Sequence, residues 1–361
     1  MKVNKYWFFF FLTKIFYMFF AIFVYAKLTT LGDASSYISG SKLNLNNFYY
    51  NSTSMMSFFG LMISKVLGSI LVHFPFMILS FYGIWYSVKR LSLTNRELFF
   101  ILLILSFPSF GVWTSIVSKE AVGVFFMGII LGYFIDLIKN KNRNIKLIEY
   151  IALYLLLIFK PQYFIAILSI FIFIKLSYFF KLKNIGKLFL FLTHVIIIIS
   201  LFWYFRDIIN ELSYTMPKHF TMEAGSTREN TIWLENNDVF YNAPYGMFIA
   251  FFGPTINEAI DKPIQLLAFI ESSIICIIAF FFISKASYIV LLTKKINILY
   301  FSLFNIAVFW LLFVHYPFGV LNAGSGIRYR ENFYGFLVVF IFYLYKKIKE
   351  RVLIEKNSIS Y

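Results

Sequence analysis

The sequence predicts an all-α, polytopic membrane protein with about ten transmembrane helices. Three observations carry that prediction. The 361 residues are 60% hydrophobic and 14% charged, with a mean hydropathy of +0.76, whereas a soluble domain is nearer a quarter charged. The apolar residues fall in runs of roughly 20, the length that crosses a bilayer core as a helix. The strand alternation of a membrane barrel is absent, and a helical bundle is then the remaining way to satisfy every backbone amide in lipid.

Taken in order, the first run, 6–26, is too long for a signal-peptide core and lacks a small-residue cleavage site, so it reads as a spanning helix. A loop over 27–55 follows. Residues 52–68, "STSMMSFFGLMISKVLG", are amphipathic and read as an interfacial or re-entrant piece. Further spans are expected at 69–88, 97–113, 121–138, 147–159, 162–180, 186–205, 265–283, 297–315 and 332–346. The fifth, 147–159, is short and stops at Lys160-Pro161, which marks a tilted or broken helix. A second long loop, 206–264, separates spans seven and eight. The chain thus reads as a single integral membrane domain over 1–361, without an internal repeat.

The placement of charge orients the bundle. The N-terminus, the turns near 89–96, 139–146, 175–187 and 284–295, and the C-terminal tail hold most of the Lys and Arg, with few acids (Glu97, Asp136, Glu149, Glu350, Glu355). On the opposite side basic and acidic residues nearly balance, so essentially the whole net charge of +16 sits on one face. This is the positive-inside pattern, with both termini cytoplasmic. Lys14, inside the first span, is expected to snorkel toward that face. The basic balance therefore reports topology and contact with membrane lipids rather than nucleic acid. The basic turns carry no nucleotide-binding glycine loop, which argues against ATP-driven transport, kinase chemistry and use of cytosolic nucleotide-sugars. One cysteine, Cys276, excludes a disulfide framework. His73, His194, His219 and His315 lack metal-ligand spacing, so no metal and no cofactor is expected.

The unusual residues gather on the outer side. "LTTLGDASSY" offers Asp33, either a solvated loop acid or a carboxylate that accepts a proton from an attacking hydroxyl. "FPSFGVWTSIVSKEAVGVFF" reads as a helix exit at Pro108-Ser109, a short outer segment, and re-entry from Glu120, with Ser118 as the cap. Lys119 beside that helix start makes an anion site. "FKPQYF" places Lys160 between two apolar spans, as a headgroup anchor or a functional cation. "YPFGVLNAGSGIRYREN" brings Arg328 and Arg330 just before the last span, on the side where the positive-inside rule disfavours arginine. Two guanidinium forks there suit a pyrophosphate clamp. "NAPYGMFIAFFGPTINEAIDKPIQLLAFIESS" reads as an interfacial helix turning into the membrane, carrying Glu258 and Asp261 and then Glu271, which is expected to pair with one of the basic residues. A cation-rich outer site with carboxylates and no Gly-x-Ser-x-Gly elbow suits displacement of a good leaving group.

The order of these segments resembles bacterial O-antigen and exopolysaccharide polymerases of the Wzy type. The features that carry the resemblance are the Trp-Thr-Ser segment leading to Lys119-Glu120, the Phe-Phe-Gly-Pro helix leading to a Glu-bearing span, and the late Asn-x-Gly-x-x-x-Arg-x-Arg. It covers residues 108 to about 340. Many such proteins carry Arg-Pro where this chain has Lys160-Pro161 and Gly253-Pro254. The resemblance implies a GT-C-like enzyme of the bacterial inner membrane. Such an enzyme transfers a growing glycan from undecaprenyl pyrophosphate onto a new lipid-linked repeat unit at the periplasmic face, with a chain-length regulator as a further partner. On it, Asp33 or Glu120 is the base, and Arg328, Arg330, Lys119 and Lys160 handle the pyrophosphate. Trp233, Tyr241 and Tyr245 are candidates to stack on sugar faces, beside Glu258 and Glu271, against the alternative of interfacial anchoring. The rival readings are a lipid-linked oligosaccharide flippase, which is not an enzyme, and another membrane glycosyltransferase or acyltransferase that modifies the glycan.

Overall fold

The computed structural model describes residues 4–140, 143–219, 226–262, 265–293 and 296–359, except for the side chains of Asn140, His219, Thr293 and 351–359. The charges counted above at Lys2, Lys141, Lys294, Lys295, Arg351, Glu355 and Lys356, the ring of His219, and parts of the 206–264 loop therefore lie outside the described residues. The chain is 81% helical, with no strand among the described residues. Among the described residues, seven helices are long and apolar enough to cross a membrane. Six coincide with expected spans. The seventh, Ser52–Leu71, is the amphipathic segment expected as an interfacial or re-entrant piece; it runs 20 residues with a kink at Gly68. The chain divides into two compact units.

Unit 1 comprises residues 1–164 and 331–339. Its helices are α1 (Lys5–Leu28), α2 (Ala34–Ser39), α3 (Ser52–Leu71), α4 (His73–Val88), α5 (Asn95–Ile104), α6 (Pro108–Trp113), α7 (Lys119–Asn140) and α8 (Leu147–Phe159). Helix α7 is its axis, buried along nearly its whole apolar length. It crosses α4 at Gly83 and Gly128: a Cβ on Gly128 would stand 2.2 Å from the Gly83 carbonyl oxygen. Only glycine lets the two backbones approach so closely, the usual device for joining helices where lipid supplies no hydrophobic drive. Phe81 takes ring contacts from Trp7, Phe10 and Phe11 of α1.

The expected span 97–113 is broken in two. Phe107 is extended (ψ 148°) because the following Pro108 disfavours the helical region there, and α6 restarts with proline in its first turn. Beyond α6, Thr114–Ser118 is non-helical, and all five residues are buried. The short outer segment expected here is therefore enclosed by protein, because polar backbone in an apolar bundle is stable only where protein partners satisfy it.

Unit 2 comprises residues 165–330 and 340–361. It holds most of α9 (Pro161–Phe179), then α10 (Asn184–Tyr204), α11 (Arg206–Thr215), α12 (Asp238–Tyr241), α13 (Ala243–Phe252), α14 (Ile256–Asp261), α15 (Leu266–Thr293), α16 (Ile298–Gly319) and both ends of α17 (Ala323–Ile359). Phe189, Ile196, Ile199 and Trp203 of α10 and Ile277, Phe280 and Leu291 of α15 are exposed. Faces this apolar are at home against lipid tails. Helix α13 lies on α16, where a Cβ on Gly246 would stand 1.9 Å from the Tyr316 ring. Trp233, Val239, Ala243, Ala250, Tyr316, Val320 and Leu321 form the core beneath the long loop.

Candidate functional site

In unit 1 the polar residues converge on the Thr114–Ser118 break. Lys14 is 1% exposed. Its Nζ donates to the Thr114 carbonyl at 3.0 Å and to Thr114 Oγ1, and it faces the charge of Glu331. Snorkelling is thus corrected: the ammonium turns inward because a carbonyl, a hydroxyl and a carboxylate meet it inside the unit. Ser80 Oγ donates to the same carbonyl. The Val117 N–H donates to His73 Nδ1 at 2.9 Å, which fixes that nitrogen as an acceptor. Ser118 caps α7 as expected, accepting from the Ala121 N–H at 2.9 Å while donating to the Trp113 carbonyl.

Glu120 stands in the first turn of α7 and is 0% exposed, as is Glu331. Asn332 lies over α7 just beyond, its Oδ1 2.4 Å from where a Cβ on Gly123 would stand. Gly123 is three residues after Glu120, one turn along the same face. Lys14, Glu120, Glu331 and Asn332 thus make a buried polar centre around a break in an apolar bundle. An ionisable group at such depth is costly and marks function more often than packing.

The other predicted residues of unit 1 are placed differently. Lys119 donates to Thr53 Oγ1 at 2.8 Å, tying the start of α7 to the start of α3. Lys160 ends α8 in a non-helical conformation (φ −148°, ψ 65°) before Pro161 and is 7% exposed, so it is enclosed rather than spread among headgroups. Asp33 pairs with Lys42 at 2.7 Å, both side chains well exposed, and accepts from the Tyr37 hydroxyl at 3.4 Å. Leu31, two residues earlier, packs on the Val112–Trp113–Ile116 cluster, so this loop borders the break.

In unit 2 the two predicted arginines separate. Arg330 is 0% exposed. It donates to the Phe251 carbonyl at 2.8 Å, to Ser272 Oγ at 2.7 Å and to Glu271 at 3.0 Å. The expected pairing of Glu271 with a basic residue is realised here. The two-arginine clamp is not: an enclosed guanidinium bonded to a carboxylate, a hydroxyl and a carbonyl holds α17, α15 and α13 together, and its fork is occupied. Arg328 is partly exposed, with its guanidinium 5.7 Å from the Tyr329 ring.

The junction before α17 is built by a residue that the sequence reading passed over. Arg228 forks onto Glu258 (2.6 and 3.0 Å) and donates to the Gly319 and Val320 carbonyls, both at 2.9 Å. Ser226 and Asn322 join beside it, and Asn322 Oδ1 accepts from the Ser325 N–H at 2.8 Å to cap α17. Burial alone raises the Glu258 carboxyl, but the Arg228 fork and the Thr255 hydrogen bonds outweigh it and hold the group below the usual carboxylate range. Glu258 is therefore a loop anchor rather than a sugar contact in this structure. Trp233 is likewise corrected. It is 2% exposed, its Nε1 donates to the Tyr316 hydroxyl, and its ring lies 5.3 Å from that of Tyr316, so neither face is open to a sugar. Tyr241 and Tyr245 are exposed.

Three participants were missed. Lys14 was legible as a charge deep in an apolar run, and Glu331 as the acid beside Arg330. Arg228 shows only as one more cation on the cation-poor side. Among the described residues no group of three or more His, Cys, Asp or Glu is placed to hold a metal ion. Comparison with protein-family models, with curated proteins and with solved structures gave no match.

Proposed function

We propose that this chain is a membrane glycosyltransferase that polymerises undecaprenyl-pyrophosphate-linked oligosaccharide repeat units at the periplasmic face of a bacterial inner membrane. The observation that carries the reading is the buried polar centre at Thr114–Glu120, where Lys14, Glu120 and Glu331 are held inside apolar helices. Its support from sequence is the ordered set of polar segments resembling Wzy-type polymerases and the one-sided distribution of basic charge. On this reading the chain has about ten spans in a GT-C-like arrangement, with both termini cytoplasmic.

Roles follow unit by unit. In unit 1, Glu120 takes the proton of the attacking sugar hydroxyl, with Asp33 as the alternative base on the bordering loop. Lys119 and Lys160 supply positive charge for the pyrophosphate. In unit 2, Arg328 contacts phosphate, and Arg330, through Glu271, positions the start of α17. The departing lipid pyrophosphate is a stable anion, so the protein orients two substrates, accepts one proton and stabilises the leaving charge.

A flippase is the second reading, because Lys14 and Arg330 are cations buried inside the units, as a translocation pathway would require. Deleting the gene in its own host and running the surface glycolipid on a gel separates the two. Collapse of a ladder to core plus one repeat unit supports the polymerase. Loss of every band above the core supports the flippase, and an intact ladder of shifted mobility supports a decorating enzyme.

A further inference from the structure

At the end of unit 1 where α4 and α7 stop and α8 starts, charged residues crowd together. Asp136 accepts from Arg90 Nε at 2.8 Å and lies 3.3 Å from Arg143 Nε. Glu149 is buried. It accepts the Arg143 fork at 2.8 and 3.0 Å, the Tyr86 hydroxyl at 2.8 Å and the Lys146 N–H at 2.8 Å. Both carboxylates are thus engaged by the arginines. Lys89, Lys139 and Lys146 add further positive charge at the same place, and the Lys139 ammonium reaches the Arg90 carbonyl.

The setting is that of a membrane interface. Lys89 Nζ lies 3.5 Å from the Trp85 ring centroid and 5.3 Å from that of Tyr86. Leu147 and Tyr150, flanking Glu149 at the start of α8, are exposed. An amphipathic aromatic beside a lysine sits at the depth of lipid headgroups. Burial, and then the neighbouring charges of Arg90 and Lys146, push Lys89 below the ordinary lysine value, while Asp136 pulls the other way. Like charges held this close are relieved by an anion with several acceptor oxygens. The Arg–carboxylate floor keeps the cations in register for one.

We propose that this end of unit 1 is a binding site for the phosphodiester of an anionic membrane lipid, held between Lys89 and Lys146 over the Arg90–Asp136–Arg143–Glu149 network. The lipid tails run along the exposed apolar side chains of Leu147 and Tyr150. The inference is independent of the polymerase reading and requires only that the helices lie in a membrane.

Native mass spectrometry of the full-length protein, offered phosphatidylglycerol and phosphatidylcholine in turn, tests it. The wild type is expected to retain phosphatidylglycerol in preference. The K89Q/K146Q variant is expected to bind it about 30-fold more weakly, which is two surface cations' worth of attraction to anionic lipid. Removal of two charges elsewhere, K181Q/K183Q, is expected to leave the affinity within about twofold of the wild type, and K89R/K146R to retain it. Equal losses in K89Q/K146Q and K181Q/K183Q would reduce the effect to general charge and overturn the site. So would a wild type without preference between the two lipids, a test that needs no variant to fold. Displacement of the lipid by millimolar inorganic phosphate would overturn the lipid as occupant and assign the site to a free phosphate.

Discussion

Replacing Lys14 by Met removes one ammonium from the centre of unit 1 while keeping most of the side-chain volume. The Thr114 carbonyl keeps its bond from Ser80, so the main loss falls on Thr114 Oγ1 and on Glu331, which then holds a buried charge without the lysine that faces it. Leaving buried acceptors without their donor costs about 1–3 kcal/mol, and the near-isosteric methionine adds little cavity cost. At about 2 °C per kcal/mol, the lower end for larger domains, the thermal midpoint in detergent should fall by about 2–6 °C. The six tryptophans provide the signal. The second substitution makes the reasoning specific. K14M/E331Q removes both charges and should recover about 0.5–1 kcal/mol of the loss, the low end of the coupling expected of neighbouring residues. A K14M variant within about 1 °C of the wild type, or a double variant no more stable than K14M, would refute the account of Lys14 as an inward-facing partner.

Three further outcomes follow from the geometry. The Glu258 carboxyl is held below its ordinary value of 4.5 by Arg228. Its contribution is therefore complete above that value and lost as pH falls through the lowered folded-state value, so the protection factor of the Arg228 amide, which donates to the Leu321 carbonyl, should fall in acid in the wild type and be low at all pH in E258Q. Gly246→Ala puts a methyl group against the Tyr316 ring and should cost about 1–3 kcal/mol of stability, read as a lowered midpoint together with altered Trp233 fluorescence. In a strain lacking the gene, Arg328→Lys should fail to restore the glycan ladder if the guanidinium grips phosphate with both arms, whereas full restoration would leave it as a headgroup anchor.

Much of the helical framework was legible because lipid leaves the backbone few options. Runs of apolar residues became helices, Pro108 and Pro161 broke them, and Ser118 capped α7 where a serine before Lys-Glu predicts a start. The pairing of Glu271 was legible as a cost that had to be met, although its partner Arg330 stands 59 positions away. What escaped the sequence was depth and partnership. Lys14 and Thr114 are 100 residues apart, and no local pattern distinguishes a lysine that turns inward from one that snorkels. Trp233 reads as a loop aromatic because polar runs, 229–231 and 235–238, flank its short apolar stretch, but Tyr316 of α16 covers it. Ser52–Leu71 reads as amphipathic, but two of its polar residues, Ser54 and Ser57, face the unit's interior rather than water.

The polymerase claim is tested most directly by reconstituting the purified full-length chain in liposomes with undecaprenyl-pyrophosphate-linked repeat units from its own host, without nucleotide-sugar, and separating the lipid-linked products by size. The account predicts products of two, three and more units, accompanied by release of undecaprenyl pyrophosphate and reduced or abolished in E120Q. Units that cross the bilayer and remain single would contradict it and leave the chain a transporter.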